Sequence, residues 1–162
     1  MIKKIKEFII QYVYIISRQP VKLQDLLIAN RSYNEGLHLD GRWLGFRLKL
    51  GRAYLVFLLL VNFVLLPVAL IGHSIFALAD CHISIFIVII VTGLIFASFN
   101  LFKDWLTDAV ALMRIKMMWS LHFPLFEYDE YNKEINDIYI QSIVQNVKKQ
   151  DLEKYILDKI AE

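Results

Sequence analysis

Two long runs without a single Lys, Arg, Asp or Glu constrain this chain more than anything else in it. From Ala53 to Ala79 it reads AYLVFLLLVNFVLLPVALIGHSIFALA, and from Ile83 to Phe102 it reads ISIFIVIIVTGLIFASFNLF. A helix rises 1.5 Å per residue, so about twenty such residues cover a hydrocarbon core of roughly 30 Å. Each run is long enough to span. Two helices that are apolar on every side need a wrapping of other elements if they are to sit in water, and a chain of 162 residues cannot supply it. The expected fold is therefore an all-α integral membrane protein built on an antiparallel two-span helical hairpin, with spans at about 53–78 and 83–102. The connection runs through Asp80, Cys81 and His82 and leaves no room for a folded domain on that side.

Charge sets the expected orientation. Residues 1–52 carry ten Lys or Arg against four Asp or Glu, and residues 103–162 carry eight against eleven, while the turn carries no basic residue. Basic residues crowding the entry to the first span place both termini in the cytoplasm by the positive-inside rule, as for a protein of a bacterial inner membrane. The composition excludes other classes. With 57% hydrophobic and 21% charged residues, the chain is too apolar for disorder and unlike an ordinary soluble enzyme. One cysteine forms no internal disulfide.

The start, MIKKIKEFIIQYVYIISRQP, has a basic head and an apolar stretch but lacks a small-residue cleavage pattern, and it reads as a retained helix. At 100° per residue, Ile2, Ile5, Phe8, Ile9, Tyr12, Val13, Ile15 and Ile16 share an arc of about 160°. Lys3, Lys4, Lys6, Glu7, Gln11, Ser17 and Arg18 oppose them, and Ile10 is the misfit. Such a helix suits the anionic headgroup region of a leaflet, or a partner subunit. Further on, Trp43 and Phe46 alternate with Arg42, Arg47, Lys49 and Arg52. Aromatic rings and long cations beside a span make an interfacial anchor, and lipid phosphate rather than nucleic acid is the nearest anion.

After the second span, Phe102, Trp105, Leu106, Ala109, Val110, Leu112, Met113 and Met117 form one helical face. Lys103, Asp104, Thr107, Asp108 and Arg114 form the other. Pro124 stops that helix. The acidic stretch EYDEYNKE is a solvated face, and two modest helices follow it. The last has Asp151 as N-cap and a narrow stripe of Leu152, Tyr155, Ile156 and Ile160, which must dock on the chain or on another subunit.

Within the spans, Asn62 lies level with Thr92 and Gly93 if the pair folds symmetrically. This predicts a cross-hairpin hydrogen bond from Asn62, with Gly93 and Ala97 as a small-residue packing face. With no Lys, Arg, Asp or Glu inside either span, transport by this chain alone is disfavoured. His73, Asp80, Cys81 and His82 are the only cluster of metal-ligand types, at a spacing unsuited to chelation, and His38, Asp40 and His122 form no constellation. No phosphate loop, GxSxG, HExxH or CxxC announces an enzyme, so neither a catalytic site nor a cofactor is expected.

The chain thus divides into an interfacial helix (1–19), a short helix with a basic and aromatic juxtamembrane segment (20–52), the hairpin (53–102), an amphipathic helix (103–123) and C-terminal cytoplasmic helices (124–162). These features predict a non-enzymatic accessory or structural subunit of a larger membrane complex of the secretion, transport or motor type. Other integral subunits are its expected partners, met through Asn62, Thr92, Gly93 and Ala97 in the hairpin and through Trp105, Met113, Met117, Leu152, Tyr155, Ile156 and Ile160 outside it. Anionic lipid is expected at Lys3, Lys4, Lys6 and the basic juxtamembrane residues. The alternative is a self-assembling, membrane-active hairpin, a small pore of the holin or viroporin type, in which the chain partners itself.

Overall fold

The computed structural model describes residues 2–37, 39–76 and 81–161, with side chains for 4–37, 39–72 and 85–161. It is mostly helical. In chain order the elements are α1 (Ile2–Val13), β1 (Tyr14–Ile16), α2 (Leu23–Asn34), β2 (Phe46–Leu48), α3 (Leu50–Phe76), α4 (Cys81–His122), α5 (Tyr128–Val144) and α6 (Leu152–Ile160). The chain folds as two compact units, one of Met1–Ile15 with Leu48–Leu106 and one of Ile16–Arg47 with Thr107–Glu162.

The helical expectation holds for most of the chain, and one short two-stranded sheet is added to it. The run Tyr14–Ile16, assigned by periodicity to the first helix, leaves it and pairs with Phe46–Leu48. Tyr and Ile are strand formers, and β-branched side chains lose χ1 freedom in a helix. The strands run antiparallel, with Lys49 N–H on the Val13 carbonyl at 2.8 Å and Ser17 N–H on the Gly45 carbonyl at 2.8 Å.

In the first unit, α3 and α4 lie side by side in opposite directions. Rings mesh at one end: Tyr54 and Phe57 each meet Phe99 edge-on at 5.3 Å, and Phe57 meets Phe102 at 5.5 Å. Two helices are long and apolar enough to cross a membrane, and their most apolar stretches are 6% and 0% buried. The helix α4 is longer than a bilayer needs, and its charge-free part ends at Phe102, before Lys103 and Asp104. Pro67 stands inside α3. A proline there removes the N–H that would bond the Phe63 carbonyl, a break that apolar spanning helices tolerate far better than water-soluble ones.

The second unit is built the other way, around a covered core. Leu26, Leu27 and Ala29 of α2, Val110, Ala111, Ile115, Met118 and Trp119 of α4, Ile135, Ile138 and Tyr139 of α5, and Leu152 and Ile156 of α6 are all buried. Two helix ends explain how the chain turns to make it. Gly36 at φ +65° follows α2, with its N–H on Tyr33 and that of Leu37 on Ser32 (3.2 and 2.9 Å). Asn146 at φ 55° follows α5 in the same way, with its N–H on Ile143 and that of Val147 on Ser142 (3.1 and 3.0 Å). Both are Schellman stops, which need a left-handed residue that glycine supplies freely and asparagine at small cost. Asp151 stands at the N-cap of α6 but makes no side-chain capping bond.

Candidate interaction surfaces

In the first unit the sequence-predicted packing residues do not bind each other. Asn62 Nδ2 donates to the Leu58 carbonyl of its own helix at 2.9 Å, so the cross-hairpin bond is absent. The reason is local: an amide in an apolar helix finds the carbonyl four residues back without moving another helix. Gly93 faces open space, where a Cβ would touch nothing, and Thr92 and Ala97 are exposed. Instead, Thr92 lines a cleft of about 400 Å³ between α3 and α4 with Leu65, Val68, Ala69, Ile87, Val88 and Val91. Every other lining side chain is aliphatic, so the cleft has no means to hold an ion and suits an alkyl chain or an apolar side chain.

The helix α1 packs on the start of α3. Ile10, the misfit of the wheel, is one of its two most buried described residues, with Val13, opposite buried Ala53 and Phe57. The covered side of α1 thus runs through Val13 and Ile10, at the edge of the apolar arc and beyond it, while Ile5, Phe8 and Tyr12 within the arc stay exposed. Arg52 Nη1 donates to the Tyr12 carbonyl at 3.3 Å and its guanidinium lies over the Tyr12 ring at 4.9 Å. Lys6 Nζ stands 5.2 Å from the centre of the Trp105 ring, so Lys6 is half-buried rather than free on the polar face. Cation–π contacts of this kind contribute about 0.5–1 kcal/mol when exposed. Lys4 is exposed and Lys49 half-buried. The side chain of Lys3 lies outside the described residues.

The predicted basic and aromatic anchor is divided by the fold. Arg42, Trp43, Phe46 and Arg47 belong to the second unit, whereas Lys49 and Arg52 belong to the first. Phe46 is buried, contrary to the role of a membrane anchor. Its ring covers Gly41, where a Cβ would come within 2.8 Å of the Phe46 ring and 2.6 Å of its carbonyl oxygen. Arg42, Trp43 and Arg47 remain exposed.

The largest departure from the sequence reading is Arg114. Assigned to a polar face, it is only 3% exposed. Nε donates to the Leu44 carbonyl at 3.1 Å, Nη2 to the Gln19 carbonyl at 3.2 Å, and Nη1 approaches Met117 Sδ at 3.7 Å. No carboxylate pairs with it among the described residues. Desolvation lowers its pKa from the ordinary value. It is a strut that ties two loop carbonyls to α4. The covered face is thus Leu106, Val110, Ala111, Arg114, Ile115, Met118 and Trp119, and Trp105 and Met117 are left exposed with Met113 half-buried.

Around Trp119 the second unit gathers its aromatic groups. The indole N–H donates to the Phe126 carbonyl at 2.9 Å, Phe123 lies at 4.9 Å, and Tyr128 meets it edge-on at 5.1 Å. Burial first, then the neighbouring Tyr33 and Asp129, pushes the Tyr128 hydroxyl up to about 12. Lys116 pairs with Asp129 at 2.6 Å and lies over the Tyr128 ring. Glu127, Asp129, Glu130 and Glu134 are exposed, as a solvated acidic face requires. The isolated His122 has a partner after all, with Nε2 at 2.8 Å from the Val21 carbonyl.

Of the residues expected to bind partners, Leu152 and Ile156 are buried within their own unit, where α6 packs on α5. Tyr155 donates its hydroxyl to Gln145 Oε1 at 3.0 Å, and Ile160 is half-buried. The narrow stripe docks on the chain itself. Other apolar side chains are open instead: Met117, Leu121, Leu125, Ile143 and Val144, with Leu125 at 87% exposure. Among the described residues no group of three His, Cys, Asp or Glu converges as a metal site. His38 and Asp80, and the side chains of His73, Cys81 and His82, lie outside the described residues. No family model, curated protein or solved structure matches the chain.

Proposed function

We propose that this chain is a non-enzymatic accessory or structural subunit of a larger inner-membrane complex of the secretion, transport or motor type. Its two long helices form a hairpin in the bilayer with both termini cytoplasmic. The observation that carries the reading is the incomplete packing of α3 against α4: their rings mesh at one end, while an apolar cleft stays open farther along and Gly93 faces nothing. In lipid, helices associate by close van der Waals packing rather than by escape from water, so an unfilled cleft beside small residues is where a further helix gains most. Trp105, Met117, Leu121 and Leu125 supply apolar contact outside the spans. The same helices lack a polar stripe to line water, which disfavours a self-assembled pore.

Mild-detergent extraction of the tagged chain should recover unrelated membrane subunits at fixed stoichiometry. Gly93→Leu should lower that recovery several-fold while leaving the helicity of the chain unchanged. Recovery of the chain alone, or only with copies of itself, overturns the reading, and dye leakage from liposomes holding the pure chain would establish the pore in its place.

A further inference from the structure

Around α1 the chain presents three faces in order. Val13 and Ile10 are buried and Lys6 is half-covered. About a third of a turn away at 100° per residue, Ile5, Phe8 and Tyr12 form an exposed stripe, met at Tyr12 by the Arg52 guanidinium and most open at Phe8, which is 70% exposed. Beyond the stripe lie exposed Lys4, Gln11 and Glu7. The wide apolar arc is therefore used only in part for packing.

The place where α1 sits says what the open part meets. It is held through Val13 and Tyr12 to Lys49 and Arg52, and Arg52 is the last charged residue before the 27 uncharged residues Ala53–Ala79. This is the level at which a spanning helix passes from headgroups to hydrocarbon. We propose that Ile5, Phe8 and Tyr12 enter the boundary between headgroups and acyl chains of an anionic leaflet, with α1 lying in the membrane plane against the first turns of α3. The inference rests on the spanning reading of α3. Charge complementarity selects lipid over a second copy of the chain. Lys4 borders the stripe and the Arg52 guanidinium lies over the Tyr12 ring within it, so anionic headgroups are drawn to the same side, whereas a second copy would bring these cations against their own kind.

The test uses the full chain in a C81S background, reconstituted in vesicles of phosphatidylcholine and phosphatidylglycerol. The environment-sensitive dye NBD is placed in turn on F8C, I5C, Q11C and L66C, and nitroxide lipids quench it from a shallow or a deep acyl position. Dye at positions 8 and 5 should be quenched at least about two-fold more by the shallow nitroxide than dye at position 11, and dye at position 66 should be quenched most by the deep one. Quenching at 66 without quenching at 8 and 5 overturns the inference and leaves the spanning reading intact. If positions 8 and 5 are then also shielded from aqueous iodide, a protein covers the stripe. Absence of quenching at 66 overturns the spanning reading itself.

Discussion

The two units of this chain use apolar side chains in opposite ways. In the unit of Ile16–Arg47 and Thr107–Glu162 they point inward: Trp119, Phe123, Ile115, Ile135 and Ile156 are covered, and Arg114 is buried only because two loop carbonyls receive it. In the unit of Met1–Ile15 and Leu48–Leu106 the covered set is short, Ile10, Val13, Tyr14, Ala53, Phe57 and Leu106, while Leu59, Phe63, Leu66 and Ile89 stay open. Hydrophobic content does not distinguish a covered core from an open apolar helix. What distinguishes them is whether polar residues share each helix. The α4 stretch after Phe102 mixes Lys103, Asp104, Asp108 and Arg114 with its apolar face, and the stretch before it has no charge to turn toward water.

The comparison breaks most easily at Trp119. Truncating a buried Trp or Phe to Ala costs about 3–5 kcal/mol, a large share of the 5–15 kcal/mol that holds a typical domain. Trp119→Ala should therefore release amide protection across α2 and α5, whereas Leu66→Ala on the open face of α3 should change protection by less than about 0.5 kcal/mol. Segment-resolved hydrogen exchange in detergent reads both. Equal losses in the two variants would show that the first unit hides its apolar residues as the second does.

Arg114 comes next in size. Arg114→Ala leaves the buried Leu44 carbonyl without its donor, at about 1–3 kcal/mol, while the carbonyl of exposed Gln19 turns to water. Arg114→Lys should recover little of it, because an ammonium on a flexible stem does not present the planar fork that serves two carbonyls together. Limited proteolysis should cut near Gln19 and Leu44 several-fold faster in both variants. An Arg114→Lys chain as resistant as the parent would reduce the strut to a simple positive charge.

Period and charge made much of this legible beforehand. The long uncharged runs marked α3 and the first half of α4, and the pairing of Tyr54 and Phe57 with Phe99 matches the level expected of antiparallel neighbours. Pro124 falls just beyond α4. What was not legible depends on neighbours distant in sequence. Arg114 belongs on a polar face by periodicity, and only the arrival of Leu44 and Gln19, 70 and 95 residues away, makes its burial affordable. Ile10 looked misplaced because a wheel assumes one apolar environment, whereas α1 meets α3 at the edge of that arc and beyond it. Asn62 finds its acceptor in its own helix, at the Leu58 carbonyl. Leu152 and Ile156 gave no sign of whether their cover would come from α5 or from another chain. The Gly36 and Asn146 stops carried the signal that would have placed the ends of α2 and α5.

The smallest expected effect sharpens the comparison through pH. The apolar run of α3 carries no ionisable side chain from Ala53 to Phe76 apart from Tyr54 and His73, whereas the second unit half-buries a phenol against Trp119. With its folded pKa pushed up to about 12 from an ordinary 10.0, Tyr128 keeps its proton in the folded state after the unfolded chain has begun to lose it. Its contribution is complete below about pH 10 and declines as pH rises from there through about 12. Water on its open side screens the effect to about 1 kcal/mol. Burial raises Tyr139 in the same direction, so the alkaline limb belongs to α5. Urea unfolding of the full chain in detergent, followed by the near-ultraviolet signal of its tryptophans across this range, should show a shallower fall for Tyr128→Phe than for the parent. A variant with the same slope would place the alkaline sensitivity elsewhere and remove the phenol from the account of how the second unit keeps its core dry.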